Sequence, residues 1–130
     1  MVKLVIDTSA IVAIVTKELE ASAFVEQLAA ATTRQISAMN VLEARIVLTF
    51  TKKLPPDTVD DFLHRESIAI VAFDEPLSDL AFEAYRRFGK GRHPAKLNMG
   101  DCAAYALARS RGWPLLYKGE DFAQTDIERA

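Results

Sequence analysis

Cysteine is nearly absent from this sequence: Cys102 stands alone in 130 residues, beside one tryptophan, five glycines and five prolines. One thiol cannot form an internal disulfide, which excludes a stapled secreted scaffold and fits a reducing compartment. The two histidines, His64 and His93, are not clustered with each other or with Cys102, so no zinc pattern is present. No apolar run approaches the roughly 18 residues needed to cross a bilayer. Asp7 interrupts the apolar start, and residues 9–15 are short for the apolar stretch of a signal peptide. Excess charge of either sign is missing too. At a formal net charge of −2 the chain is no polycation, so any nucleic-acid contact must come from a local patch. What remains is ordinary globular composition, 50% hydrophobic and 26% charged. The sequence predicts one soluble, cytoplasmic domain over residues 1–130, large enough to bury a proper core.

No repeat, low-complexity tract or long linker divides the chain. Residues 2–6 read as a buried strand, and Ser9 as the cap of a helix running to about Thr16. Residues 20–31 carry apolar side chains at helical spacing. A short strand follows at 34–36, then Ser37 caps a long helix from 38 to about 53, stopped by Pro55-Pro56. A helix is predicted over 57–65, a core strand over 68–73, and a helix from Pro76 to Gly89. After a basic loop to Leu97, a helix begins at Asn98 or Gly100 and ends at Gly112. Residues 114–117 read as the last core strand, and 118–130 as a polar tail with room for a turn and an edge strand. Strands alternating with helices imply an α/β fold: a mostly parallel sheet of four to five strands, flanked by helices, with right-handed crossovers. The carboxyl ends of the strands should then face one cleft, where ligands of open α/β sheets bind.

Four carboxylates fall near that cleft. Asp7 ends the first strand, where a charge is expensive unless something pairs with it. Glu43 shares a helical face with Met39, Ile46, Val47 and Phe50, an unusual place for an acid unless it pairs with a nearby arginine or lies at the edge of the stripe. Asp101 falls in the first turn of a helix, where an acid also complements the helix dipole. Asp121 sits in a glycine-containing turn, a common place for an acid on turn chemistry alone. Neighbouring Glu120 and the later Asp126 read as solvated residues. Together the four acids repel one another, and a divalent cation removes the problem. An all-oxygen set suits Mg²⁺, with Mn²⁺ as a substitute, and such a site can activate water for phosphoryl displacement. The catalytic and metal-binding candidates are therefore Asp7, Glu43, Asp101 and Asp121.

The segment from Arg86 to Lys96 holds five Lys or Arg residues, His93 and no acid. It reads either as a solvated charge run or as a flexible, glycine-hinged phosphate clamp using Arg87, Lys90, Arg92 and Lys96. Thr8 and Ser9 are candidates for contact with water or the scissile phosphate, although capping accounts for Ser9 as well. Asn40, one turn before Glu43, can orient that carboxylate, and Asn98 can do the same for Asp101 or simply cap the helix. Cys102 and Trp113 read as packing residues, Tyr105 as core or interface, and His64 as a surface residue.

Four segments in order resemble a PIN-domain ribonuclease, with the match closest to VapC-type toxins of bacterial toxin–antitoxin pairs. They are Val5-Ile6-Asp7-Thr8-Ser9-Ala10, the Glu43 helix, Leu97-Asn98-Met99-Gly100-Asp101-Cys102, and the tail from Leu115 to Ile127. The resemblance spans nearly the whole chain. It implies a Mg²⁺-dependent endoribonuclease acting on RNA, held inactive by a cognate VapB-like antitoxin, and a homodimer. It also implies that Asp7 and Asp101 are the principal metal ligands, with Glu43 and Asp121 completing the cluster. Two rival classes are a non-catalytic binding module of the same fold and an aspartyl-phosphate phosphotransferase. The second needs an aspartate two residues after the nucleophile, where this chain has Ser9.

Overall fold

Strand β1 (Lys3–Ile6) runs through the middle of the molecule in a computed structural model that describes all 130 residues. Its side chains alternate between two hydrophobic layers, Leu4 and Ile6 to one side and Val5 to the other. Helix α1 (Thr8–Val15) follows after Asp7 alone, and α2 (Ala21–Ala30) returns the chain to β2 (Thr33–Ser37). Strand β2 passes directly into α3 (Ala38–Ile46), because the Ser37 side chain accepts the Met39 N–H at 3.3 Å. Next come α4 (Thr58–Arg65), β3 (Ala69–Val71), α5 (Glu75–Phe88), α6 (Met99–Arg111) and β4 (Leu115–Leu116). Gly112, at φ 69°, supplies the left-handed residue that stops α6.

The four strands form one parallel sheet in the order β3-β2-β1-β4. This is the predicted α/β architecture. One core layer packs Ile36, Val41, Leu48, Phe62 and Leu116 with α1 to α4. The other packs Leu77, Phe88, Leu97, Leu107 and Leu115 with α5, α6 and the tail. The tail supplies the predicted edge strand only as one parallel bridge, Leu115 to Arg129, closed by two hydrogen bonds of 2.9 Å.

Several expectations change. The helix predicted over 38–53 is α-helical only to Ile46 and then widens into a π-turn, Val47–Thr51. The strand predicted over 68–73 shrinks to three residues at the sheet edge, with Ile70 exposed. Ser9 is not the cap of α1. Asp7 is, because its carboxylate accepts the Ser9 N–H at 3.0 Å and the helix starts two residues earlier. No helix is long and apolar enough to cross a membrane.

Candidate metal centre

Asp7 leaves the central strand with its backbone N–H donated to Leu116 O at 3.0 Å. Its side chain is 3% exposed. The Oδ2 atom accepts the N–H of Ser9 at 3.0 Å and its hydroxyl at 2.6 Å, while Oδ1 has no partner. Burial, only partly offset by the Ser9 hydrogen bonds, lifts the Asp7 carboxyl to about 7, and the charges of Asp101 and Glu43 add to the rise. An orphaned oxygen on a carboxylate that resists ionisation marks a place lacking positive charge.

Asp101 faces Asp7 from the start of α6. Asn98 and Asp101 form a reciprocal cap: Asp101 N–H donates to Asn98 Oδ1 at 2.9 Å, and Asn98 N–H to Asp101 Oδ2 at 3.0 Å. The capping account of Asp101 is therefore true, and it leaves Oδ1 free of those bonds. Burial, then the charges of Glu43 and Asp121, push this carboxyl up to about 6 against the Asn98 hydrogen bond. Mutual repulsion thus links all four predicted acids into one electrostatic unit, although Asp121 is exposed on its turn.

Glu43 reaches the cluster through a gap in α6. A Cβ on Gly100 would lie 2.5 Å from both Glu43 carboxylate oxygens, so only glycine lets that carboxylate lie against the helix. Sequence reasoning passed over Gly100; the signal was a glycine at the first turn of a helix directly before an acid. It also passed over the backbone of Lys118, whose N–H donates to Ser9 Oγ at 3.0 Å. The Ser9 hydroxyl therefore accepts from β4's end and donates to Asp7, fixing the carboxylate's orientation. The face assigned to Glu43 is not the core face of α3. Asn40, Val41 and Ala44 are buried, whereas Ile46 and Phe50 lie in the open.

The other candidates divide. Thr8 is buried, its hydroxyl donating to Asn40 O at 3.2 Å, so it is spent on scaffolding. Asn40 does not bond Glu43; it bonds Thr8 and Gly100 instead. Arg87 is paired with Asp126 at 3.3 Å. Asp126 is no idle tail residue: it also takes the Tyr105 hydroxyl at 2.5 Å and faces Arg109 at 3.6 Å. Lys90, Arg92 and Lys96 are exposed and have no acidic partner. Their loop is not hinged freely, because a Gly89–Leu97 bridge closes it and His93 accepts the Ala95 N–H while packing edge-on to Phe88. Cys102 is buried, and that burial pushes its thiol to about 12, which rules out a thiolate nucleophile near neutral pH.

The donor set fits a hard cation. It is all oxygen, its central member has an unsatisfied buried oxygen, and two of its members resist ionisation without a counter-charge. No three acidic side chains converge closely enough to form a closed cage for an ion. Asp7 and Asp101 would hold it, with Glu43 and Asp121 completing the acidic cluster.

This arrangement has close relatives. Residues 4–128 match the PIN domain family. The chain is 48% identical over 125 residues to "Ribonuclease VapC" of Mycolicibacterium smegmatis, covering 95% of this chain and 97% of that one. It is 44% identical to "Ribonuclease VapC30" of Mycobacterium tuberculosis, with 95% of each covered. Among solved structures, the sarcin-ricin loop cleaving toxin VapC20 of M. tuberculosis superposes at TM-score 0.78 with 16% identity, covering 98% of both chains. The DNA-bound VapBC of Salmonella typhimurium superposes at 0.69 with 16% identity, covering 99% of this chain and 96% of that one. With residues 4–128 matching the family and relatives 44–48% identical over nearly the whole chain, the chain belongs to the VapC ribonucleases of the PIN-domain family.

Proposed function

We propose that this chain is a Mg²⁺-dependent endoribonuclease, the toxin of a toxin–antitoxin pair, acting in the cytoplasm. The observation that carries the reading is the buried Asp7 with an unpartnered oxygen, facing Asp101, Glu43 and, through Asp101, Asp121. Such a cluster is unstable alone and useful with a cation. When bound, Mg²⁺ supplies activation of an attacking water and neutralisation of the charge that develops at phosphorus. The chain's own residues do the rest. Ser9 fixes Asp7, Asn98 fixes Asp101, and Gly100 admits Glu43. The unpaired cations Lys90, Arg92 and Lys96 hold the RNA backbone as phosphate contacts. Ser9 serves Asp7 and not the substrate directly.

The antitoxin and dimer parts rest on different support. The Salmonella VapBC and Rickettsia felis VapBC2 structures share this fold and are bound to DNA, and a toxin–antitoxin complex from Klebsiella pneumoniae shares it too. A VapB-like protein is therefore the proposed partner here. Leu42, Ile46, Phe50 and Phe82 leave apolar surface in the open, as an assembling protein does. Light scattering should give twice the 14.4 kDa chain mass, and a monomer at working concentration would refute the homodimer.

RNA incubated with the purified chain should be cut internally, stop being cut in EDTA, and be cut again when Mg²⁺ or Mn²⁺ is restored. Cleavage that survives EDTA, or survives Asp101→Asn, overturns the metal mechanism. Tight RNA binding without any cleavage would favour the non-catalytic module instead.

A further inference from the structure

We infer that Asn40 is a positioning residue that sets the spacing of the acidic cluster by tying together the three helix starts that carry it. This rests on the metal-dependent reading above. Asn40 is fully buried at the first turn of α3. A polar amide in such a place is destabilising unless it is hydrogen-bonded. Its amide is satisfied on the donor side: Nδ2 donates to Thr8 Oγ1 at 3.2 Å and to Gly100 O at 2.9 Å, while Oδ1 has no partner. Thr8 returns a bond from its hydroxyl to the Asn40 carbonyl at 3.2 Å. Thr8 is adjacent to Asp7, Gly100 is adjacent to Asp101, and Asn40 lies one turn before Glu43. One side chain therefore spans sequence separations of 32 and 60 residues and joins α1, α3 and α6 where each presents its acid.

The bond to Gly100 has a second effect. Gly100 is the surface against which the Glu43 carboxylate lies. Holding its carbonyl fixes how far α6 stands from α3, and hence how far Asp101 stands from Glu43. Repulsion among the acids pushes these helix starts apart. Asn40 opposes that push with a neutral group, so it adds no charge that would compete for the cation. A hydrophobic residue of similar size fills the space but supplies neither bond.

Asn40→Leu keeps the volume, and Asn40→Ser keeps a single hydroxyl donor. Both should fold by circular dichroism. Calorimetric titration of the metal-free proteins with Mn²⁺ should show affinity weakened by roughly ten- to a hundredfold in Asn40→Leu. Asn40→Ser should fall between it and wild type. In RNA cleavage, excess Mn²⁺ should restore part of the lost rate, which it would not do for a merely unfolded protein. In the wild-type chain the Asn40 side-chain amide signals should shift during Mg²⁺ titration with the same midpoint as the backbone amides of Ser9 and Asp101. Folded variants that bind Mn²⁺ like wild type, or an Asn40 amide that ignores Mg²⁺ while those backbone amides respond, overturn the inference. A wild-type chain that binds neither ion overturns the metal reading itself.

Discussion

Replacing Asp7 with asparagine should make the metal-free protein more stable while ending RNA cleavage. In the folded chain burial raises this carboxyl from 3.8 to about 7. In the unfolded chain it titrates in the ordinary range. The folded state therefore binds the proton more tightly. That contribution is fully present below about pH 4 and is lost as the pH rises through about 7. At about 1.4 kcal/mol per pH unit, ionised Asp7 costs the folded state about 4 kcal/mol by pH 8. Asparagine has no charge to desolvate. Its oxygen can take both Ser9 hydrogen bonds, and its NH₂ group inherits the position where Oδ1 has no partner. An unpaired buried donor costs about 1–3 kcal/mol, leaving a net gain of about 2 kcal/mol. With an unfolding entropy of about 2.1 cal/mol/K per residue, Tm in a chain of 130 residues should rise by about 7 °C. Differential scanning calorimetry in EDTA at pH 8 measures it directly. The gap should narrow towards pH 5, where wild-type Asp7 is largely protonated. Mg²⁺ should then stabilise wild type and leave Asp7→Asn unmoved. A variant less stable than wild type at pH 8 in EDTA, or a gap independent of pH, would refute the reasoning.

Three further changes probe the surroundings. Gly100→Ala places a methyl group 2.5 Å from both Glu43 oxygens, so cleavage should fall on the order of a hundredfold. Its far-ultraviolet dichroism should hold, because alanine favours the helix over glycine by about 1 kcal/mol; an unchanged rate would mean Glu43 is not needed in place. Asp126→Ala removes the partner of Tyr105, Arg87 and Arg109, and urea unfolding should show a loss of about 1 kcal/mol, limited by solvent screening. The Tyr105 hydrogen bond, with the arginines adding to it, holds the Asp126 carboxyl below its usual range, so this contribution is present at neutral pH and disappears as the pH falls through the lowered value. The same variant should lose its tail to limited proteolysis before the rest of the chain; simultaneous loss would argue against a latch. Replacing Lys90, Arg92 and Lys96 together with glutamine should weaken RNA binding and flatten its salt dependence, with no change in Mn²⁺ affinity. A salt slope equal to that of wild type would place the RNA elsewhere.

The sequence made the sheet and its acidic edge readable because both depend on local signals. An apolar run ending in an acid marks β1 and Asp7, and Asn98 three residues before Asp101 marks the start of α6. Helical spacing shows which residues share a face but not which face turns inward. In α3 two stripes compete, and the apolar one through Ile46 and Phe50 lies outside. The buried one is led by a polar residue, Asn40, whose partners lie 32 and 60 residues away and leave no local trace. Long-range pairing also explains Arg87, which looks free in the sequence until the tail brings Asp126 beside it. Asp7 and Ser9, two residues apart, can each cap a helix, and the carboxylate takes the role.

The hydroxyl of Ser9 ties residue 118 to residue 7, and the first strand takes the last as its neighbour. The order of synthesis therefore matters. A nascent chain that has emerged only as far as α5 can pair β1, β2 and β3, yet it has neither Asp101 nor the backbone that orients Asp7. The acidic edge is complete only once α6 and the backbone beyond β4 have joined the sheet, so a chain grown no further than α5 carries three paired strands and no finished site.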